Sequence, residues 1–160
     1  MYPTKNDLPE ATRSKVTKLL NARLAESIDL FLQAKQAHWT VKGLAFYALH
    51  ELFDEVADAA REYVDEIAER ITQLGGVAEG TVNAVSKRTH LPEYPLDIAD
   101  GRDHVERLSV ALATFGAAAR KGIDEATEVR DADTADLLTE VSRGIDKLLW
   151  MVEAHAQTAR

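Results

Sequence analysis

Residues 38–69 read HWTVKGLAFYALHELFDEVADAAREYVDEIAE, and the spacing of two kinds of side chain in this stretch decides the fold. Leu49, Leu52, Phe53, Val56, Ala60, Tyr63 and Ile67 recur at three- and four-residue steps, the period of an amphipathic helix. Continued through Ile71, the stripe predicts a helix from about Phe46 to Leu74, stopped by Gly75 and Gly76. His50 and Asp54 lie four apart, as do Asp65 and Glu69, so each pair projects from one helix face with its members one turn apart. The eleven-residue step from Asp54 to Asp65 returns to within roughly 20° of the same direction, so the two pairs share a face. At about 1.5 Å per residue, however, that step is roughly 16 Å, whereas ligands must lie about 2 Å from a metal. One helix therefore carries two half-sites and completes neither.

An antiparallel contact with a second copy, its two-fold axis near Ala59 and Ala60, brings His50 and Asp54 level with Asp65 and Glu69 of the partner subunit. Two equivalent sites result, and Ala57, Ala59 and Ala60 are small enough to allow close approach. His38 lies twelve residues before His50, beyond a turn around Lys42 and Gly43, and an antiparallel hairpin places it near His50 as a third ligand. Imidazole with carboxylate suits Fe(II), Mn(II) or Zn(II), and the absence of thiolate argues against a closed structural zinc site. Singly, a helical histidine is more often a core or surface residue, and charges four apart are commonly solvated surface. The joint spacing is what points to a metal. Arg61, one base among the eight acidic residues of positions 50–69, points near the ligand face, where it either pairs with carboxylates or weakens cation binding.

The rest of the chain supplies scaffolding. Residues 1–8 read as a short flexible arm containing Pro3. A first helix is predicted from near Pro9 to Trp39–Val41, with Val16, Leu19, Leu20, Leu24, Ile28, Phe31 and Leu32 at helical spacing. Trp39 reads most simply as a core aromatic. Residues 77–100 form a long connection with Pro92 and Pro95 and a short helical segment around Thr81–Lys87, too long for a simple up-down hairpin. A third helix is expected over about Arg102–Val129. A fourth is expected from near Thr134, capped by Asp131 or Asp133, to about Thr158. His90 reads as surface and His104 as structural or exposed. Around the last junction, Asp124, Glu125, Glu128, Asp131, Asp133, Asp136 and Glu140 form an acidic run broken by Arg130; alone, it reads as capping plus solvated surface.

The 160 residues suit one domain over 9–160, and 46% apolar content is enough for a core. With no cysteine there is no disulfide framework and no thiol nucleophile. No apolar run approaches the roughly 20 residues needed to span a bilayer, and no signal-peptide core opens the chain, so the expectation is a cytoplasmic protein without membrane contact. A net charge of −8 opposes binding nucleic acid over the whole surface, although residues 1–24 carry five basic residues against Asp7 and Glu10. No Glu-x-x-His occurs, so a di-iron centre built inside one bundle is unsupported. There is also no Gly-rich phosphate loop, nucleophile elbow or zinc-finger spacing.

The strings KQAHWTVKG, HELFD and DEIAERITQLGG, continued by YPLDI near residue 94, DADTADLL near 131 and DKLLWMVEAH near 146, together resemble the Dps-type mini-ferritins. The resemblance covers nearly the whole chain. It implies an all-α, ferritin-like four-helix bundle with a short extra helix in the long connection, assembled from two-fold dimers into a dodecameric shell. It further implies a ferroxidase that oxidises Fe(II), typically with hydrogen peroxide, and stores Fe(III), so protecting the cell from oxidative damage. The implied centre takes His38, His50 and Asp54 from one subunit and Asp65 and Glu69 from its partner, with zinc or manganese as alternative occupants. Trp39 then lies beside the iron and intercepts oxidising equivalents. Asp136, with Asp131 and Asp133 behind it, lines a three-fold pore for iron entry. DNA binding and nucleoid compaction, the role that named the family, with the metal site then only structural, are the alternative. Here they rest on a short arm with Lys5 alone before the first helix.

Overall fold

The computed structural model describes residues 1–157 and comprises five helices, with no strand among the described residues. They are α1 (Glu10–Thr40), α2 (Phe46–Gln73), α3 (Val82–Arg88), α4 (Gly101–Glu128) and α5 (Ala132–Glu153). α1 packs along α2 and α4 along α5, while contacts of α1 with α4 and of α2 with α5 close a four-helix bundle. The short α3 sits in the long connection against α1. This is the expected all-α, ferritin-like arrangement.

Each hairpin turn has a local cause. After α1 the chain reverses through Gly43, whose φ of +111° is a conformation that side chains resist. Between α4 and α5 the turn passes through Arg130 at φ 61°, and Asp131 then caps α5 by accepting from the Thr134 amide at 3.1 Å. Asp100 caps α4 in the same way, accepting from the Arg102 amide at 2.9 Å. Lys42 donates its amide to Ala99 at 2.8 Å, which ties the end of the long connection to the α1–α2 turn.

The core has two parts. One is built around Phe53, Leu108, Leu112, Phe115 and Ile145, all fully buried; the other, toward the far end, packs Val16, Leu20 and Leu24 of α1 on Ile67 and Ile71 of α2 and Leu138 of α5. The predicted α2 stripe is buried through Leu49, Leu52, Phe53, Val56, Ala60, Ile67 and Ile71, with Tyr63 half-buried.

Four expectations need correction. Trp39 is no core aromatic: it is 66% exposed, because the rotation that turns Ala34, Ala37 and Val41 inward turns position 39 outward. Leu32, counted in the α1 stripe, is exposed for the same reason. Residues 1–8 do not hang free, since the Tyr2 amide donates to Gly75 at 2.7 Å, Arg13 donates to Leu8 and Leu74, and Leu8 packs on the core. α5 stops at Glu153, where the backbone bonds tighten into turns at Ala154–Ala156; the expected end at Thr158 lies outside the described residues.

Candidate metal centre

The α1–α2 hairpin brings His38, in the last turn of α1, against His50, in the first turns of α2. Their rings stack with centroids 3.7 Å apart. His38 Nδ1 donates to the His50 carbonyl at 2.7 Å, and His50 Nδ1 donates to the His38 carbonyl at 2.9 Å. Each histidine thus spends one nitrogen on the other's backbone. That reciprocal bond fixes both ring orientations and leaves both Nε2 atoms to bind something else, which is how supporting hydrogen bonds orient metal-binding imidazoles. Phe46 tilts against the His50 ring at 5.1 Å.

Asp54 stands one turn beyond His50, half-exposed, with Oδ1 3.9 Å from His38 Nδ1. Its nearest charge is Lys35, whose ammonium donates to Oδ1 from α1, one turn before His38. That bond holds the Asp54 carboxyl below the usual carboxylate range, with His38 and His50 lowering it further against a smaller desolvation effect. The carboxylate is therefore ionised and paired with the Lys35 ammonium. Lys35 was not visible as part of the site: the lysine of KQAH sits three residues before His38, but its reach to Asp54 depends on how the hairpin is rotated.

Asp65 and Glu69 are both exposed on α2, far along the helix from this cluster. Among the described residues, no three His, Asp or Glu side chains of a single chain gather closely enough to hold a metal ion. His38, His50 and Asp54 thus make no metal-holding group by themselves, and Asp65 and Glu69 stand apart from them along α2, as the rise of a helix requires. Arg61 is exposed and lies 3.3 Å from Asp58 of the same helix, rather than against Asp54, Asp65 or Glu69. Ala57 and Ala60 are buried against the chain's own interior, Ala60 beneath a hydrogen bond from Ser27 to its carbonyl. They are unavailable to a second copy, and Ala59 alone of the three is partly open.

The three pore candidates separate. Asp131 is 2% exposed, and it accepts from Arg70 at 2.8 Å, from the Thr134 hydroxyl at 2.7 Å and from the Thr134 amide. Its carboxylate is structural, contrary to a pore role, because Arg70 of α2 reaches across to it. Asp133 and Asp136 are exposed. His104 is buried, with Nδ1 2.6 Å from the Tyr94 hydroxyl, and His90 is exposed.

The ferritin-like domain family model matches residues 17–160. The chain belongs to this family, in its Dps branch. A "DNA protection during starvation protein" of Agrobacterium fabrum is 46% identical over 98% of this chain and 96% of its own length. That of Mycolicibacterium smegmatis is 32% identical over 95% of this chain and 82% of its own. Among solved structures, Mycobacterium smegmatis Dps superposes with a TM-score of 0.92 at 30% identity, covering 98% of this chain and 95% of that one. DpsC from Streptomyces coelicolor gives 0.93 at 31% identity over all of this chain and 92% of its own. A Vibrio cholerae Dps, described as a member of a superfamily of ferritin-like diiron-carboxylate proteins, gives 0.91 at 25% identity, covering 98% of each chain. Among the described residues, no helix of this Dps chain is long and apolar enough to cross a membrane.

Proposed function

We propose that this Dps-family chain is a ferroxidase and iron store whose oxidation sites lie between two-fold-related subunits. The observation that carries the reading is the His38–His50 pair, held by its own backbone with both Nε2 atoms uncommitted, and with an ionised Asp54 one turn along α2, its Oδ1 3.9 Å from His38 Nδ1. Asp65 and Glu69 repeat the spacing of His50 and Asp54 at the far end of α2, so an antiparallel second copy supplies the missing carboxylates. Imidazole with carboxylate oxygen and no sulfur suits Fe(II), the substrate; zinc or manganese would compete for the same donors.

The chain's own part is to bind and orient. His38 and His50 hold Fe(II) through nitrogen, Asp54 with Asp65 and Glu69 of the partner subunit compensates its charge, and the remaining coordination positions stay open to an oxidant. Two Fe(II) ions together supply the two electrons that, with two protons, reduce hydrogen peroxide to two waters. This consumes both reactants of hydroxyl-radical formation and so protects DNA without touching it. Exposed Asp133 and Asp136 mark the acidic entry for Fe(II) into a twelve-subunit shell, where Fe(III) accumulates. Exposed Trp39, next to His38, is placed to intercept stray oxidising equivalents.

Anaerobic Fe(II) addition followed by peroxide tests the site. His50→Ala, Asp54→Ala and Glu69→Ala should each slow oxidation at least about tenfold, and full activity in all three would overturn the assignment. Direct DNA binding has less support, because the segment carrying Lys5 is tied to Gly75. A gel shift persisting at about physiological salt would restore it.

A further inference from the structure

The face of α2 that carries the half-sites has a symmetry that the metal ligands alone do not require. His50, Asp54, Asp58, Arg61, Asp65 and Glu69 follow one another at steps of four, four, three, four and four. At about 100° per residue these six positions fall within roughly 100° of the helix circumference, on the side opposite the core residues Phe53, Ala60 and Ile67. His50 with Glu69, Asp54 with Asp65, and Asp58 with Arg61 are all centred on one point, midway between Ala59 and Ala60. The first two pairs are proposed metal ligands, each joining a member of one half-site to a member of the other. The third is an acid and a base.

We propose that Asp58 and Arg61 pair reciprocally across the two-fold axis, Arg61 of each chain against Asp58 of the partner subunit, and that this ring of four charges sets the register in which the metal sites are completed. The inference rests on the two-fold reading given above and adds the device that aligns it.

Charge is the first argument. Without metal, an antiparallel contact on this face brings Asp54, Asp58, Asp65 and Glu69 of one chain toward the same four of the other, and Arg61 is the one base on the face. Like charges brought together at an interface cost several kcal/mol. Position is the second. Two helices related by a two-fold axis lie closest at the axis, whatever their crossing angle, and Asp58 and Arg61 flank it most closely.

Availability is the third argument. Within one chain both side chains are about two-thirds exposed, at 65% and 68%, with Arg61 Nη2 3.3 Å from Asp58 Oδ1. A guanidinium carries five donors in a fork, so Arg61 has donors left for a second carboxylate. An exposed pair three residues apart contributes only a few tenths of a kcal/mol to a helix; closed over by a second helix, the same charges select the partner. Register is the fourth. A slip of one turn in one direction sets Arg61 against Asp54 and diverts a metal ligand, and in the other it sets Asp58 against Asp65.

Charge reversal in the full chain tests this. Asp58→Arg and Arg61→Asp, made singly, place like charges at the axis. Sedimentation at low concentration should show smaller species than wild type, and Co(II) affinity, read from its visible absorption, should fall about tenfold or more. The double exchange should restore both. Unchanged assembly and Co(II) affinity in both single variants would overturn the proposal. A second measurement uses the absence of cysteine. Asp58→Cys combined with Arg61→Cys should give a disulfide-linked dimer on oxidation, since side chains three apart on one helix have Cβ atoms about 5–6 Å apart and a disulfide needs about 3.5–4.5 Å. No linked dimer would contradict the pairing. A linked dimer that binds no Co(II) would uphold the Asp58–Arg61 contact and overturn the metal-site reading instead.

Discussion

His38 and His50 hold each other in place through their main chains: each imidazole Nδ1 donates to the other residue's carbonyl, at 2.7 and 2.9 Å, with the rings stacked between them. The pair sits where α1 ends and α2 begins, so its geometry is set by the turn at Gly43 and by the core beneath Leu49 and Phe53. An imidazole pair bonded to backbone in this way needs no further side chain to fix its tautomers, and Nε2 of each ring remains the unprotonated nitrogen.

Lys35 should weaken cation binding at Asp54. Its ammonium occupies Oδ1 and is a like charge to any incoming metal ion. Lys35→Met is expected to tighten anaerobic Co(II) binding by about tenfold, measured by equilibrium dialysis of the assembled protein.

Asp131 and Asp136 should respond oppositely to replacement. Asp131→Ala leaves Arg70 buried without its carboxylate and removes the α5 cap, a loss on the order of 3–5 kcal/mol in denaturant unfolding. Asp136→Ala, at an exposed position, should leave stability within about 0.5 kcal/mol and instead slow Fe(II) uptake in stopped-flow oxidation.

Much of this layout is legible in the sequence, because the features concerned are periodic or local. The α2 stripe and the Gly75–Gly76 stop mark one helix, and Pro92 and Pro95 mark the long connection. What escapes sequence reading depends on how helices rotate against one another. Lys35 meets Asp54 across the hairpin, and Arg70 meets Asp131 from 61 positions away. Trp39 faces solvent although Ala37 and Val41 beside it are buried, and Ala57 and Ala60 are taken up by the chain's own packing. No residue-by-residue pattern distinguishes these outcomes from their opposites.

His104 should make stability fall in mild acid. Burial pushes its imidazole pKa down, against the pull of Asp103 and Asp100. The unfolded chain takes up a proton near about pH 6.5 while the native chain remains neutral there, so the unfolded state binds more protons and native stability declines as pH drops through that range. It levels off below the native pKa. His104→Gln should flatten this slope in urea titrations between about pH 7.5 and 5.5; an unchanged slope would count against the burial of a neutral imidazole.

Gly144 is a contact position. A Cβ there would collide with the Tyr63 hydroxyl, so Gly144→Ala should cost about 1–3 kcal/mol despite the better helix propensity of alanine. In a Tyr63→Phe background the clashing oxygen is gone, and the penalty should shrink by at least about half. Thermal unfolding of the four combinations checks it.

Diffraction from crystals of the assembled protein soaked anaerobically with Fe(II), with data collected at the iron edge, tests the shared site most directly. The expected result is anomalous density between chains, within about 2–2.5 Å of His38, His50 and Asp54 of one subunit and of Asp65 or Glu69 of the partner subunit. Asp65 and Glu69 lying remote from every other chain's His50, or iron bound wholly within one chain, would contradict it.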